Sequence, residues 1–428
     1  MIGLRKALLA LGLLSLPLLM LTSLAPAASA APKQAVAAKT NVSGTTGPLP
    51  VNASGLLESP VDLIGELGRG KYAATYGGLR VLSDDESQIE IYLSDLSPAE
   101  EAAFQAAAGS GVTVTFAATR KSMASQLALQ QTILTAAPGL RTAGIDINSV
   151  GPDLTTGLVG IGVGNPTASA VGRLNSMFGA DNVSVHQQNP VAATSSYNRA
   201  SFPGPAWTGG IGLLGSNSST CTAGFSILIG STSYLLTAAH CLSNGSTAAN
   251  AMLTSLTSTT GSGATVGTIT GQDLTDHSMD IELIAAQGNG TFLSGGTPYA
   301  PNVGVWGYEN SAVGRTVHNN GAYSGNVLSV IQAIDQCQYV TEPVGRYICA
   351  LTHSTSSTNS VANQGGDSGG PIDHVINGYG YAVGTDSLSS GADATACVYN
   401  SFTGCYTDMY FTDMGYSLSY YGASINNQ

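Results

Sequence analysis

Hydrophobic and polar positions change rhythm twice along the chain. Residues 7–24 are almost wholly apolar behind Arg5 and Lys6, and Ala28-Ser29-Ala30 follows. That is the layout of an export signal ending in a small-residue cleavage site, so 1–30 is expected to be removed. From 31 to 60 Ala, Pro, Thr and Gly recur without a period, as in a linker. Between 61 and 200 the rhythm is mixed. Residues 89–93 read as a strand, and Ser97-Pro98 opens a helix with a capping serine and a proline at its first position. A second helix is predicted over 122–136, and 158–163, 167–178 and 182–186 read strand, helix, strand. This part is expected to be an α+β domain.

After Ser201 helix signals nearly vanish. Short β-rich runs at 226–229, 233–237, 264–270, 281–284, 303–308, 327–334, 347–351 and 379–385 alternate with Gly, Ser, Thr and Asn clusters. That spacing predicts an all-β barrel or sandwich, with one terminal helix near 414–421. Charge divides the chain at the same place. Twelve of the 14 basic residues precede position 201, leaving Arg315 and Arg346, whereas the 26 acidic residues split evenly. The two parts therefore carry formal charges of −1 and −11. So acidic a balance excludes nucleic acid and anionic membrane surfaces as partners. All six cysteines lie after position 220, and export would let them form disulfides. A cysteine-free segment joined to a lysine-free, cysteine-bearing one has the organisation of a precursor.

Three local patterns carry chemistry. Leu236-Thr237-Ala238-Ala239-His240-Cys241 sets a histidine just after an apolar strand, and Asp280-Ile281-Glu282-Leu283 sets a carboxylate at the start of another. Gly365-Gly366-Asp367-Ser368-Gly369-Gly370-Pro371 sets a serine in a turn too glycine-rich for helix or strand. A serine hydroxyl becomes a nucleophile when a neutral imidazole takes its proton, and a carboxylate fixes that imidazole's tautomer. Glycines let backbone N–H groups approach a developing oxyanion. The same serine also satisfies G-x-S-x-G, but that class needs an acid and then a histidine downstream, and only Asp373 and His374 follow closely. Order and fold both reject it. The glycines at 160, 162 and 164 lack the spacing of a nucleotide loop. Asp273, Asp276 and Asp280 lack the spacing of a calcium loop, and no zinc framework is present. No metal or cofactor is expected.

T-A-A-H-C, D-I-x-L and G-D-S-G-G-P, in that order, resemble the chymotrypsin-like serine peptidases. The likeness is greatest to the secreted actinobacterial branch of streptogrisin and α-lytic type, which carries a pro-region. The resemblance implies two antiparallel six-stranded β-barrels in 201–428. It also implies that 61–200 is a pro-domain acting as folding chaperone and inhibitor, cut away by the enzyme itself between 194 and 207. His240 would be general base and then general acid, Asp280 its orienting carboxylate and Ser368 the nucleophile. The N–H groups of Gly366 and Ser368 would form the oxyanion hole. The implied pairings are Cys221–Cys241, Cys337–Cys349 and Cys397–Cys405, though spacing alone leaves fifteen open.

The product would be a secreted, monomeric endopeptidase whose partners are protein or peptide substrates and its own pro-region. Ala362 stands where trypsin-like enzymes carry an acid, which argues against Arg or Lys recognition. With Ser387, Leu388 and Ser389 as the second wall, an apolar or aromatic preference is implied; Asp386 is expected to face solvent. Asn319 occupies the place of the arginine that usually pairs with Asp367. The partner of Asp367 is therefore left open among neutral donors, Arg315, Arg346 and His318. Neither Asp273 nor Asp276 begins an apolar strand, and His277, His318, His353 and His374 read as ordinary polar residues. An inactive homologue serving as an extracellular binding module is the competing reading. Self-repulsion of the −11 segment predicts a fold that tolerates mild acid.

Overall fold

The computed structural model describes residues 59–189, 206–215, 220–255, 258–271, 279–294, 302–341, 344–357, 361–376, 379–393 and 404–427. The expected signal, residues 31–58 of the linker, most of the expected processing stretch, Asp273, Asp276, His277 and Cys397 lie outside them.

The expected linker gives way to helix at its last residue. Ser59 caps Pro60–Arg69 by accepting the Asp62 N–H, and proline stands where a missing N–H costs nothing. Tyr76–Val81 and Gln88–Leu93 then pair antiparallel, and Gln88–Leu93 runs parallel to Thr113–Ala118 through a crossover helix, Pro98–Ala108. Ile64, Ile89, Ile91 and Phe104 close this core. A second group follows: helix Met123–Thr142, hairpin Ile147–Asp153 with Leu158–Val163, helix Ala168–Phe178 and strand Val183–Gln187. The helix expected to stop at 136 continues through Pro138. Beyond the proline, Ala137's neighbour in the chain, Leu140 joins Ala137 in this group's core, and that burial offsets the lost backbone hydrogen bond.

From 206 onward the chain builds two β-barrel-like sheets. The first runs Ser424–Ile425, Ser226–Ile229, Thr232–Thr237, Glu282–Ala285, Ser258–Thr270, Thr247–Ser255, Gly212–Gly215, Thr220–Thr222. The second centres on Gly325–Val340, Thr316–Gly321, Pro371–Ile376 and Tyr379–Asp393. Six strands per barrel were expected, but the first ladder holds eight because short edge pieces extend it. Ile211, Leu213, Leu235 and Ile284 fill the first sheet's core, and Val317, Ile331, Ile372 and Phe411 the second's. Helix Met414–Tyr421, capped by the Asp413 carboxylate, stands where the terminal helix was expected.

The described residues belong to one compact unit, 46–428, in which the N-terminal segment extends the second sheet. Ser149 and Val150 pair with Gln338 and Cys337 along the long hairpin Gly325–Val340/Arg346–Ser356. Gln130 Nε2 donates to the Val150 carbonyl (2.9 Å) and the Asp335 carbonyl (2.7 Å), and Tyr347 Oη donates to the Ile147 carbonyl (2.7 Å). A hairpin edge that would otherwise face water is thereby paired. Cys221–Cys241 and Cys337–Cys349 are disulfides, two of the pairings the resemblance implied. Cys405 is also disulfide-bonded.

Candidate active site

Strand Thr232–Thr237 pairs with Glu282–Ala285 in the register Leu235↔Ile284, Leu236↔Leu283, Thr237↔Glu282. That ladder brings the residues flanking it, His240 and Asp280, face to face. The Asp280 carboxylate is fully buried and accepts twice from His240, from the backbone N–H (2.9 Å) and at Nδ1 (2.6 Å). Its Oδ2 also accepts the Ser387 hydroxyl at 2.5 Å. Burial alone would depress the imidazole's proton affinity, but the Asp280 charge and hydrogen bond reverse this and raise it. Burial likewise opposes charge on Asp280, yet His240 and Ser387 hold its proton affinity below the ordinary carboxylate value. The result is an imidazole with its Nδ1 hydrogen committed and its Nε2 available for proton transfer.

Ser368 lies in the turn between Asn363–Gln364 and Pro371–Ile376. Gly366 has φ +95° and Gly369 φ +90°, conformations that L side chains rarely adopt. A Cβ at Gly369 would also come within 2.2 Å of Thr237 Oγ1 and 2.3 Å of the Thr222 carbonyl, so the serine turn can press against the histidine strand only with glycine there. Thr222 clamps the turn: its N–H donates to the Ser368 carbonyl (2.9 Å) and its hydroxyl to the Gly366 carbonyl (2.8 Å). Among the described residues the N–H groups of Gly366 and Ser368 have no backbone acceptor, so both can donate to an incoming oxygen. The Cys221–Cys241 disulfide joins this Thr220–Thr222 strand to the residue after His240. The Ser368 hydroxyl itself donates to the Ser387 carbonyl at 3.4 Å.

The partners of Asp367 are neutral donors, the Ser324 hydroxyl and a set of backbone amides. Its Oδ1 accepts from Tyr323 N (2.9 Å) and Ser324 N (3.0 Å), and its Oδ2 from Gln364 N (2.8 Å). Burial raises its proton affinity, and these donors lower it only in part. Asn319 instead donates to the Ala362 carbonyl at 3.3 Å. Gly321 makes room, since a Cβ there would lie 2.0 Å from Asp367 Oδ1.

Expected pocket residues fall into several environments. Ala362 is fully buried beside Asn363. Asp386 is also fully buried, not in solvent as expected; Asn363 Nδ2 donates to both its oxygens (3.0 and 2.8 Å) and ties the two walls together. Burial pushes its proton affinity well above the carboxylate range, and the Asp367 charge adds to this. Ser389 donates to Asn363 Oδ1 at 2.5 Å, while Leu388 packs with Val340, Ile348, Leu351 and Tyr410. The Ser387 side chain faces Asp280, a contact that no local spacing announces. Cys221, His240 and Cys241 lie close enough together to ligate a metal, but the disulfide occupies both sulfurs.

The sequence profile described as Trypsin matches residues 194–409, half of the chain. Among solved structures, Thermobifida fusca protease A is 23% identical, covering 52% of this chain and 98% of its own, with a TM-score of 0.38. Cellulomonas bogoriensis chymotrypsin is 21% identical over 52% and 98%, TM-score 0.37, and Nocardiopsis protease 20% over 51% and 98%, TM-score 0.36. No curated protein sequence matches the chain.

Proposed function

Because the chain belongs to the trypsin family of serine peptidases, we propose that it is a secreted endopeptidase working through His240, Asp280 and Ser368. His240 Nε2 takes the Ser368 proton as the hydroxyl oxygen attacks the scissile carbonyl, and Asp280 stabilises the imidazolium so formed. The Gly366 and Ser368 N–H groups receive the oxyanion, and His240 then protonates the leaving amine. Water repeats the sequence on the acyl-enzyme. The observation that carries this reading is the fully buried Asp280 carboxylate bound twice to His240 and once to Ser387.

On this reading 61–200 is a pro-region, templating the barrel and cut away by the enzyme. The Ser368 hydroxyl resting on the Ser387 carbonyl suits a latent precursor. Cleavage after apolar or aromatic residues is supported by Ala362, which offers no carboxylate to Arg or Lys, and by the commitment of both Asp386 oxygens to Asn363. A fluorophosphonate probe and a peptide library test the whole proposal. Labelling of the wild type and not of Ser368→Ala, with library cleavage, is expected. Failure of the processed protein to label or to cut any peptide would leave it an inactive homologue that binds without hydrolysis.

A further inference from the structure

The proposed mechanism leaves unused the bulkiest fully buried side chain among the described residues, Arg315, 1% exposed. It is one of two basic residues after position 201. Its Nε donates to Glu86 Oε1 at 2.7 Å, its Nη1 lies 3.4 Å from Glu309 Oε2 and donates to the Asn310 carbonyl. His374 Nδ1 meets the same Glu309 oxygen at 2.9 Å and lies 4.0 Å from Glu86. Arg315, Glu309 and His374 belong to the peptidase half, whereas Glu86 arrives from the N-terminal segment. The expectation that His374 is an ordinary polar residue overlooked this, because its partner stands 65 positions away.

The N-terminal side is shaped for the fit. Glu86 has left-handed backbone geometry (φ 55°), tolerated because Asp85 braces the turn by accepting from Ser83 Oγ, Ser87 N and Ser87 Oγ. Val81 N donates to the Val313 carbonyl at 2.7 Å, and Gly314 admits this approach, since a Cβ there would lie 2.0 Å from the Val81 carbonyl oxygen. Asp62 accepts from Asn310 N (3.1 Å) and Nδ2 (3.0 Å), and Thr316 donates to Asp84 at 3.0 Å. The peptidase half otherwise carries a large negative charge, so an acidic turn bearing Asp84, Asp85 and Glu86 would be repelled almost anywhere else on it.

We propose that loop 309–316 and His374 form a carboxylate-receiving socket whose occupant is the 83–87 turn, and that Glu86 in this socket retains the N-terminal segment after the chain is cut between 194 and 207. The ladder at 337–338 is a backbone contact and tolerates sequence change; the socket recognises one side chain. The proposal rests on the precursor reading above. Its test does not depend on catalysis. A site-specific protease sequence is placed within 190–205 of full-length Ser368→Ala, the protein is cut by the added protease, and dissociation is followed by dilution and native mass spectrometry. The cut parent is expected to remain a complex. Glu86→Gln should weaken it about ten- to a hundredfold, the range for losing a charged hydrogen bond. Asp84→Asn, at an exposed contact of the same turn, should weaken it less than about threefold. Melting of the uncut Glu86→Gln chain checks that it folds. Dissociation of the cut parent, equal retention by Glu86→Gln, or equal weakening by Asp84→Asn would each overturn the socket. None of these results bears on whether His240, Asp280 and Ser368 hydrolyse peptides.

Discussion

Glu282 should make the fold lose stability as pH rises toward neutrality. It opens strand Glu282–Ala285 and is fully buried, and among the described residues neither carboxyl oxygen has a close hydrogen-bond partner. Burial pushes its proton affinity up to about 10; the Asp280 charge adds to the rise and the Leu242 amide opposes it. The unfolded chain ionises this group near 4.5. Its contribution is therefore complete below that value and is lost as pH rises toward the folded value. Between pH 5 and pH 7 the folded state holds the proton and the unfolded state releases it, costing about 1.4 kcal/mol per pH unit, or about 3 kcal/mol in all. The cost over this window does not depend on how far above 7 the folded value lies. Glu282→Gln keeps the shape and removes the titration. Melts of full-length Ser368→Ala with and without Glu282→Gln, at half-unit steps from pH 5 to 7, read the difference in slope. The parent should fall by about 3–4 °C more than the variant, at about 1.2 °C per kcal/mol for a unit spanning 46–428 with about 2.1 cal/mol/K of unfolding entropy per residue. His240 and Asp280 titrate in both proteins and cancel. Parallel curves would refute the reasoning, because a buried carboxyl that ionised without cost could not be buried as described.

Asp280→Asn should fold and bind substrate but lose about 10⁴-fold in kcat, since the amide N–H would donate to Nδ1 and leave the ring hydrogen on Nε2, where it blocks uptake of the Ser368 proton; kcat near wild type at neutral pH would exclude the assigned role. The acid limb of kcat/KM should lie above 6.5, because Asp280 raises the proton affinity of His240. Ser387→Ala removes a donor that keeps Asp280 acidic, so it should move that limb to still higher pH, with a change in kcat about tenfold or less; an unmoved limb would make Ser387 merely structural. Cys221→Ala with Cys241→Ala releases a link of sequence separation 20, and chemical denaturation should show a loss of about 3 kcal/mol.

The site was legible where chemistry and local geometry coincide. His240 and Asp280 each sit at an apolar strand end, and Ser368 stands among glycines whose positive φ values bear out the reason for reading them as a turn. What the chain did not disclose was set by distant partners. Ser387 reaches Asp280 across 107 positions and Glu86 reaches Arg315 across 229. Asp386, flanked by Thr385 and Ser387, has the local polarity of a loop, yet a full ladder and Asn363 bury it. Ile147–Asp153 contains Asn, Gly and Pro and has no alternation, but it is a strand because both edges find partners, Leu158–Val163 and the 337–338 edge. Its β conformation is tertiary in origin.

Acid tolerance was expected from net charge, and the structure supplies a second cause of the same sign. Asp373 is fully buried and burial raises its proton affinity to about 8, with Asn320 as a partial counterweight; burial raises Glu282 to about 10 and Asp386 well above its ordinary value. Each favours the folded state more as pH falls, whereas Asp280 and Asp408, lowered chiefly by their histidines against the cost of burial, work the other way. Salt separates the two causes. Repulsion among exposed charges is screened within about 3 Å at 1 M salt, but the proton uptake of a desolvated carboxyl is not. The pH 5 to 7 loss in Tm of full-length Ser368→Ala should therefore persist at 1 M NaCl with most of its size. If high salt instead flattens the profile, surface repulsion governs and the buried carboxyls contribute little. Persistence in the parent, with loss in Glu282→Gln at the same salt, would assign the neutral-pH penalty to a single neutral acid two residues from Asp280.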